Sequence, residues 1–391
     1  MRRQLIISSS IFAFLLIATL LVVFYTQGYR FNFNNGRPDF LGTGLLVATS
    51  SPDGASVFLN GHLTTATDNT IDLSPGTYTV KIFKDGYFPW TKTIRIQKEV
   101  VTKVNALLFP TAPQLQSITN IGVKNPVIDP FEDRLAYAVA SQSARTNGIY
   151  ILDLTARPIL TLQSSSTQVV DDTTDQFSNS KFSFSPDGTQ LIATTSAGTT
   201  YLLDANSFNS QPQDVTSTLL TVGLSLKKQA SDKEKARLNT LTTPLKKEVL
   251  DKFKILEWAP DDSKILYEAS KSADLPVIIK PRLIGTDTKP ENRNLEEGQI
   301  YVYDIKEDKN YKIDVPTSKD LQWFSDSAHL IYIADKEINV MDYDGDNPTT
   351  IYAGPFIDSY VFPWPDSSKV VILTNLGNPD IAPNLYTIVL K

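Results

Sequence analysis

Five times between Gln114 and Lys391 the chain repeats one phrase: an apolar strand, an acidic turn, a second apolar strand, a gap, and a strand ending near Tyr or Asp. The turns and their following strands are Ile128-Asp129-Pro130-Phe131-Glu132-Asp133-Arg134 into Leu135–Tyr137; Phe184-Ser185-Pro186-Asp187-Gly188 into Leu191–Ala193; Trp258-Ala259-Pro260-Asp261-Asp262 into Ile265–Tyr267; Trp323-Phe324-Ser325-Asp326-Ser327 into Leu330–Tyr332; and Phe362-Pro363-Trp364-Pro365-Asp366 into Val370–Ile372. Partner strands are expected at Ile149–Leu154, Thr200–Asp204, Ile300–Ile305, Ile338–Tyr343 and Leu385–Leu390. A short sheet with two apolar faces must stack on copies of itself. Residues 114–391 therefore predict a five-bladed β-propeller, with six blades as the alternative because the repeat spacing is irregular. The last unit has no fourth strand after Leu390, and Gln114–Ile121 is the stretch that would supply it and close the ring.

Two insertions account for the excess length. Residues 222–253 read as helical: Ser231 with Glu234 has the spacing of a capping box, and Thr243-Pro244 places proline in the first turn of a second helix. Leu238, Leu241, Leu245 and Val249 line its apolar sides. Residues 224–254 carry nine Lys or Arg against four Asp or Glu, a local excess of positive charge in an acidic chain. Lys227, Lys228, Lys246 and Lys247 are its candidate partner-binding residues, for anionic lipid or an acidic partner, against the plainer reading of a solvated helix pair. Residues 271–297, with three prolines, read as a long surface loop.

Before the repeats, residues 44–110 are also β. Leu45–Ala48 and Ser56–Leu59 are strands, closed by Asn60-Gly61, the dipeptide of a two-residue hairpin. Pro75-Gly76 suits a type II turn. Along Thr77–Phe83, Tyr78, Val80 and Ile82 share one face and Thr79 and Lys81 the other. Ile94 and Ile96 continue the alternation. Six or seven short strands in this length predict a small β-sandwich. Tyr87, Phe88 and Trp90 could form an aromatic binding ledge or plug the sandwich edge. Pro110–Pro113 reads as a stiff linker.

The order Pro52-Asp53-Gly54-Ala55, Val57, Leu59-Asn60-Gly61, Leu73, Pro75-Gly76, Tyr78, Val80 and Gly86-Tyr87 resembles the PEGA domain. His62–Ala66 departs from the family's usual step after the Asn-Gly turn. The resemblance implies a bacterial or archaeal envelope module and no catalytic residue. The SPDG turns and Tyr343-Asp344-Gly345-Asp346-Asn347-Pro348 resemble TolB-like, WD-type propeller repeats, which implies the fold and a disposition to protein–protein contact.

The address comes from the other end. Leu5–Tyr25 passes without a charge, behind Arg2 and Arg3. About 20 apolar residues cross a bilayer as a helix, whereas a secretory signal has a shorter core and small residues at its exit. Here the exit is Val22-Val23-Phe24-Tyr25. The reading is an uncleaved anchor at residues 1–25, amino end cytoplasmic and bulk extracytoplasmic, with 26–43 as a juxtamembrane connector. Tyr25 and Tyr29 suit the headgroup layer, and Tyr29, Phe31 and Phe33 alternate as in a strand.

Chemistry is sparse. The 391 residues have a net charge of −6, no cysteine and two histidines, His62 and His329. That argues against nucleic acid as a partner and against thiolate, triad and histidine-metal sites. Asp344-Gly345-Asp346-Asn347 lacks the spacing of a calcium loop and reads as a turn. Glu257 with Asp261, or Asp187, could supply paired carboxyls for glycoside hydrolysis, yet recurrence of these acids in the repeated turn favours a scaffold role. Ser185–Thr189 is too tight for a sialidase box, and no G-x-S-x-G elbow or phosphate loop occurs. The expectation is a mainly β, non-enzymatic, membrane-anchored binding or scaffold protein, without cofactor or metal. Its partners would be the bilayer, through residues 5–25, and an envelope protein or glycan. The alternative is an envelope glycosidase or sensor with acids in the propeller mouth.

Overall fold

The computed structural model describes residues 2–26, 29–34, 37–155, 166–285, 287–315 and 321–391. Its chain divides into two compact units, one of residues 1–109 with 279–290, the other of 110–278 with 291–391.

In the second unit, the described residues form five four-stranded antiparallel sheets, one for each repeated phrase. Blade 1 is Lys124–Ile128, Arg134–Val139, Gly148–Asp153 and Ser166–Asp171; blade 2 is Lys181–Phe184, Gln190–Thr194, Thr200–Asp204 and Gln213–Asp214. Blade 3 is Phe253–Trp258, Lys264–Ala269, Ile300–Asp304 and Lys309–Ile313; blade 4 is Gln322–Trp323, His329–Ala334, Glu337–Asp342 and Thr349–Tyr352. Blade 5 has only three C-terminal strands, Val361–Pro363, Lys369–Thr374 and Asn384–Val389, and takes its fourth from Gln114–Ser117. The register pairs Gln114 with Val389 and Ser117 with Tyr386. These sheets are consistent with a propeller, and among the described residues of this unit there are five four-stranded sheets and no sixth.

The five turns are one structure repeated. In each, the amide of the fourth residue donates to the carbonyl of the first at 2.8–3.1 Å. The amide of the first donates to the carbonyl of the sixth at 2.8–3.0 Å. The residue after the blade's third strand donates to the carbonyl of the fifth, also at 2.8–3.0 Å. The fourth residue is left-handed in all five: Glu132, Gly188, Asp262, Ser327 and Ser367 have φ between 54 and 68°. In blades 2 to 5 the third residue is aspartate, and Oδ1 of Asp187, Asp261, Asp326 and Asp366 accepts the amide two residues on at 2.9–3.1 Å. Blade 1 places Phe131 there, and Asp129 takes over, its Oδ1 accepting the amides of Asp133 and Arg134.

Between blades the apolar faces meet. Ala136, Ile149 and Val170 pack with Phe182, Leu191 and Leu203 across blades 1 and 2. Leu266 and Val302 pack with Trp323, Leu330 and Met341 across blades 3 and 4. Tyr137 and Leu152 pack with Val371, Leu373 and Leu385 across blades 1 and 5. That last cluster joins the two ends of the repeat. Blade 3 packs its other apolar residues on the helical insertion.

The insertion comprises α2 (Leu219–Thr240) and α3 (Thr243–Lys252). Ser231 and Glu234 do not begin a helix: α2 starts twelve residues earlier, after a short 3-10 turn at Thr216–Thr218, because Leu219–Leu226 contains nothing that stops a helix. The capping residues of the sequence reading therefore lie within α2. Thr243-Pro244 does open α3. Leu241, Leu245 and Val249 are buried against blade 3, Leu241 from the connection rather than from a helix.

In the first unit, a three-stranded sheet ordered Asn69–Leu73, Gly44–Ser51 and Val101–Leu107 faces a four-stranded one ordered His62–Ala66, Ser56–Leu59, Gly76–Phe83 and Trp90–Ile96. Leu46, Ala48, Val57, Val80, Ile82 and Ile94 fill the space between. Asn60 and Gly61 have φ of 49 and 85°, as the two-residue hairpin requires. One expectation changes. Gly76 is outside the left-handed region, so no type II turn forms, and it begins a strand paired with Ile96. His62–Ala66, where the sequence departs from the family's step, is a strand whose backbone pairs with Ser56–Leu59.

Ahead of the sandwich, α1 is one helix over Arg2–Thr26, followed by a hairpin of Tyr29–Asn34 and Arg37–Gly42. The side chains of Tyr25 and Tyr29 lie outside the described residues. Among the described residues no helix is long and apolar enough to cross a membrane. The described side chains of α1 are those of Ile7 and residues 9–23. All but Ala18 are exposed, Phe12 and Phe14 to 68% and 71%.

Closure by the Gln114–Ser117 strand is testable. Deleting these residues strips the ladder from Asn384–Val389, and a few backbone hydrogen bonds at roughly 0.5–1.5 kcal/mol each set the expected loss at about 2–4 kcal/mol. Urea unfolding would show it as a lower midpoint, and an unchanged midpoint contradicts closure by this strand.

Candidate functional site

Because the blades share one topology, their five turns open on the same end of the ring, and α2 crosses there. Lys233 sits with Nζ 4.5 Å from the Phe131 ring centre, on the blade 1 turn. One helical turn on, Arg237 pairs with Asp262 of the blade 3 turn at 2.9 Å. Between them the Glu234 carboxylate accepts the Trp258 indole N–H at 3.2 Å. The departure of blade 1 from the repeated turn thus has a use: Phe131, 58% exposed, gives the lysine a ring to cover.

Next to this bridge, carboxyls from two blades come under one another's influence. Glu257, on the innermost strand of blade 3, accepts the Trp323 amide of blade 4 at 3.0 Å. Burial, then the charge of Glu132 from blade 1, push Glu257 up to about 7, against the Trp323 amide and Arg237, which favour the ion. Glu132 is itself raised, by burial and then by Asp129. The repeated-turn acids behave otherwise: bonds from the Ser185 hydroxyl and the Thr189 amide hold Asp187 below the usual carboxylate range. Asp187 and Asp261 are consumed by their own turns, so the sequence-derived pairing of Glu257 with Asp261 is not the one the fold brings about. Its partner is Glu132, which sequence reading passed over because the two are far apart in the chain.

The other candidates are dispersed. Trp90 is 5% exposed inside the sandwich core, and Tyr87 packs against the same core. Phe88 is half-buried, its amide bonded to the Phe109 carbonyl. Trp90 and Tyr87 are thus part of the sandwich packing. Lys227 and Lys228 are exposed on α2, which has no buried residue. Lys246 is half-buried and donates to Asn239 at 2.7 Å, while Lys247 is exposed. In the Asp344 turn, Asp344 accepts the Asp346 amide and Asp342 the Asn347 side-chain amide. Among the described residues no group of three or more such side chains is placed to hold a metal.

Sequence reading also missed the role of His329. Its Nδ1 lies 2.6 Å from Asp326 Oδ2 and its Nε2 3.3 Å from Asp342 Oδ1, in the buried heart of blade 4. Burial disfavours the charged ring, but the bonds and charges of the two aspartates outweigh it and push His329 up to about 10.

With this geometry in view, residues 43–112 match the family described as the PEGA domain. The chain contains a PEGA domain. No curated protein matches the chain. Among solved structures, a putative TolB from Agrobacterium tumefaciens is similar at 15% identity over 68% of this chain and 78% of that one, TM-score 0.23. TolB from Acinetobacter baumannii is similar at 15% identity over 80% and 60%, TM-score 0.22, and the Cps50 (Swd1) β-propeller domain of Myceliophteria thermophila at 9% over 71% and 100%, TM-score 0.30. Scores this low carry no argument, and the propeller reading beyond the PEGA domain rests on the chain's own strand pairing.

Two pH profiles follow. His329 is raised, so its stabilisation is complete below the ordinary value near 6.5 and is lost as pH climbs through about 10. His329→Asn should cost about 3–5 kcal/mol near pH 6, as when a buried ion pair loses one partner, and should flatten the decline in stability between those values. Glu257 is also raised, so the stability that its neutral form contributes is lost as pH climbs from the ordinary value near 4.5 through about 7. Glu257→Gln should be near neutral at pH 5 and stabilising by roughly 1–2 kcal/mol at pH 8.5. Thermal melts across pH check both.

Proposed function

We propose that this is a membrane-anchored, extracytoplasmic binding or scaffold protein, whose propeller meets an envelope protein or a cell-wall glycan. The observation that carries the reading is the pairing of α1, a 25-residue helix whose described apolar side chains are exposed, with the two β modules that follow it. Burying such a helix in lipid removes the cost of wetting it, and the basic amino end belongs on the cytoplasmic side. The PEGA domain, as an envelope-type module, supports the same location. On the propeller, the turn aspartates Asp187, Asp261, Asp326 and Asp366 accept amides of their own backbone, and the surface offered to a partner is the exposed basic side of α2 around Lys227 and Lys228. Anchoring would raise the local concentration of that surface toward envelope partners.

One observation favours the second reading, an envelope glycosidase. Glu132 and Glu257 come from different blades, and a carboxyl near 7 is poised as a general acid. Against it, Glu257 is already held by the Trp323 amide beside the α2 bridge.

The tests separate these. Full-length protein should resist alkaline carbonate extraction, and protease added to intact spheroplasts should digest its body. Release by carbonate or protection of the body contradicts the topology. Full-length chain in detergent should capture an envelope component, and Lys227→Glu with Lys228→Glu should weaken capture several-fold. Hydrolysis of wall glycan abolished by Glu257→Gln would replace the binding reading with the enzymatic one.

A further inference from the structure

The loop read from sequence as plain surface is two different things. Its ends belong to blade 3: Ala273–Asp274 pairs with Asn294–Leu295, and buried Asp308 accepts the Ile278 amide at 2.7 Å and pairs with Arg293 at 2.9 Å. Its middle, Ile279–Pro290, clusters with the first unit. There Asp287 pairs with Lys92 at 2.6 Å, both side chains about a tenth exposed, and the Thr288 hydroxyl donates to the Thr93 carbonyl at 3.1 Å. At Gly285 a side chain would meet Val100 Cγ1 at 2.9 Å, so the strap's backbone lies directly on the turn after the Trp90–Ile96 strand.

That turn marks one end of the sandwich. The Glu99 amide donates to the Thr43 carbonyl and the Leu45 amide to the Val100 carbonyl, so the turn is bonded to the point where the connector joins the sandwich. The connector is a hairpin whose register pairs Tyr29 with Gly42. Paired strands lie about 5 Å apart, so Gly42 returns the chain beside Tyr29, three residues beyond the end of α1. The strap therefore docks at the end of the sandwich nearest α1.

We propose that the strap's tip, Leu283 and Ile284 flanked by Lys280 and Arg282, enters the headgroup layer of the bilayer that holds α1. The proposal rests on the anchor reading of α1. Leu283 and Ile284 are adjacent aliphatic residues, 46% and 72% exposed at the tip. The strap's sequence holds three cations, Lys280, Arg282 and Lys289, against one acid, Asp287, which pairs with Lys92. Aliphatic residues beside cations suit an anionic lipid surface, where the former leave water and the latter meet phosphate. The tip would be a second foothold, orienting the sandwich where α1 alone leaves it free to tilt.

The cysteine-free chain makes the test clean. Full-length protein carrying Ile284→Cys, labelled with an environment-sensitive dye, is placed in nanodiscs of phosphatidylcholine with phosphatidylglycerol. Asp85→Cys, at the opposite end of the sandwich strands, is the control. The expected result is a blue shift and quenching by lipid-borne nitroxide at position 284 and neither at 85. Adding Leu283→Asp should remove the quenching. Lys280→Glu with Arg282→Glu should weaken it in anionic discs more than in discs of phosphatidylcholine alone. A label at 284 as wet as the one at 85 in both lipids overturns the proposal. Loss of the chain from lipid in alkaline carbonate, scored first, overturns the anchor reading instead.

Discussion

The propeller depends on one constraint: a six-residue turn that must pass through a left-handed residue to close two backbone hydrogen bonds and receive a third. The fourth residue bears the conformational cost, modest for Gly, Asp or Ser and paid at blade 1 by Glu132. What holds it there is an aspartate oxygen accepting the next free amides, at the third position in four blades and at the first in blade 1. The carbonyl of the fifth residue then receives the chain as it leaves the third strand. Three strands of each blade are tied together at one point, so each apolar face is presented at the same pitch to its neighbour.

Departures from that turn are where this propeller becomes particular. Blade 1 exchanges aspartate for Phe131 and so offers a ring to Lys233 of α2. Blade 3 offers Asp262 and Trp258 to Arg237 and Glu234 of the same helix. An inserted helix with no buried residue is held by polar and cation–π contacts at both sides of the ring end. The neighbouring Glu132 and Glu257 share their electrostatics because this geometry brings the blades together. His329 shows the opposite arrangement: one cation between two carboxylates in the buried interior of blade 4.

Much of the fold was legible in the chain, for local reasons. The strands of the sandwich follow from the period of Leu46, Ala48, Val80 and Ile82, and Asn60-Gly61 from its need for positive φ. The missing fourth strand could be counted because blade 5 stops at Leu390. Errors came where tertiary contact outweighs local chemistry. Ser231 and Glu234 have capping spacing, but the preceding leucines carry the helix past them, and Glu234 is used by Trp258. Trp90 looked available for a ligand and is core. The site was less legible than the fold: Lys227 and Lys228 were visible as charge, whereas Glu132, Arg237 and Phe131 had no shared signal.

By itself the sequence determined the β character, the number of repeated turns and the uncharged run of Leu5–Tyr25, since each is a matter of period, turn chemistry or length along the chain. Only the tertiary structure decided that Glu257 answers to Glu132, and that Ile279–Pro290 leaves the repeat to pair Asp287 with Lys92. Those contacts join residues scores to hundreds of positions apart, and periodicity carries no information at that range: which distant surfaces meet is settled by how sheets stack and where their edges remain open.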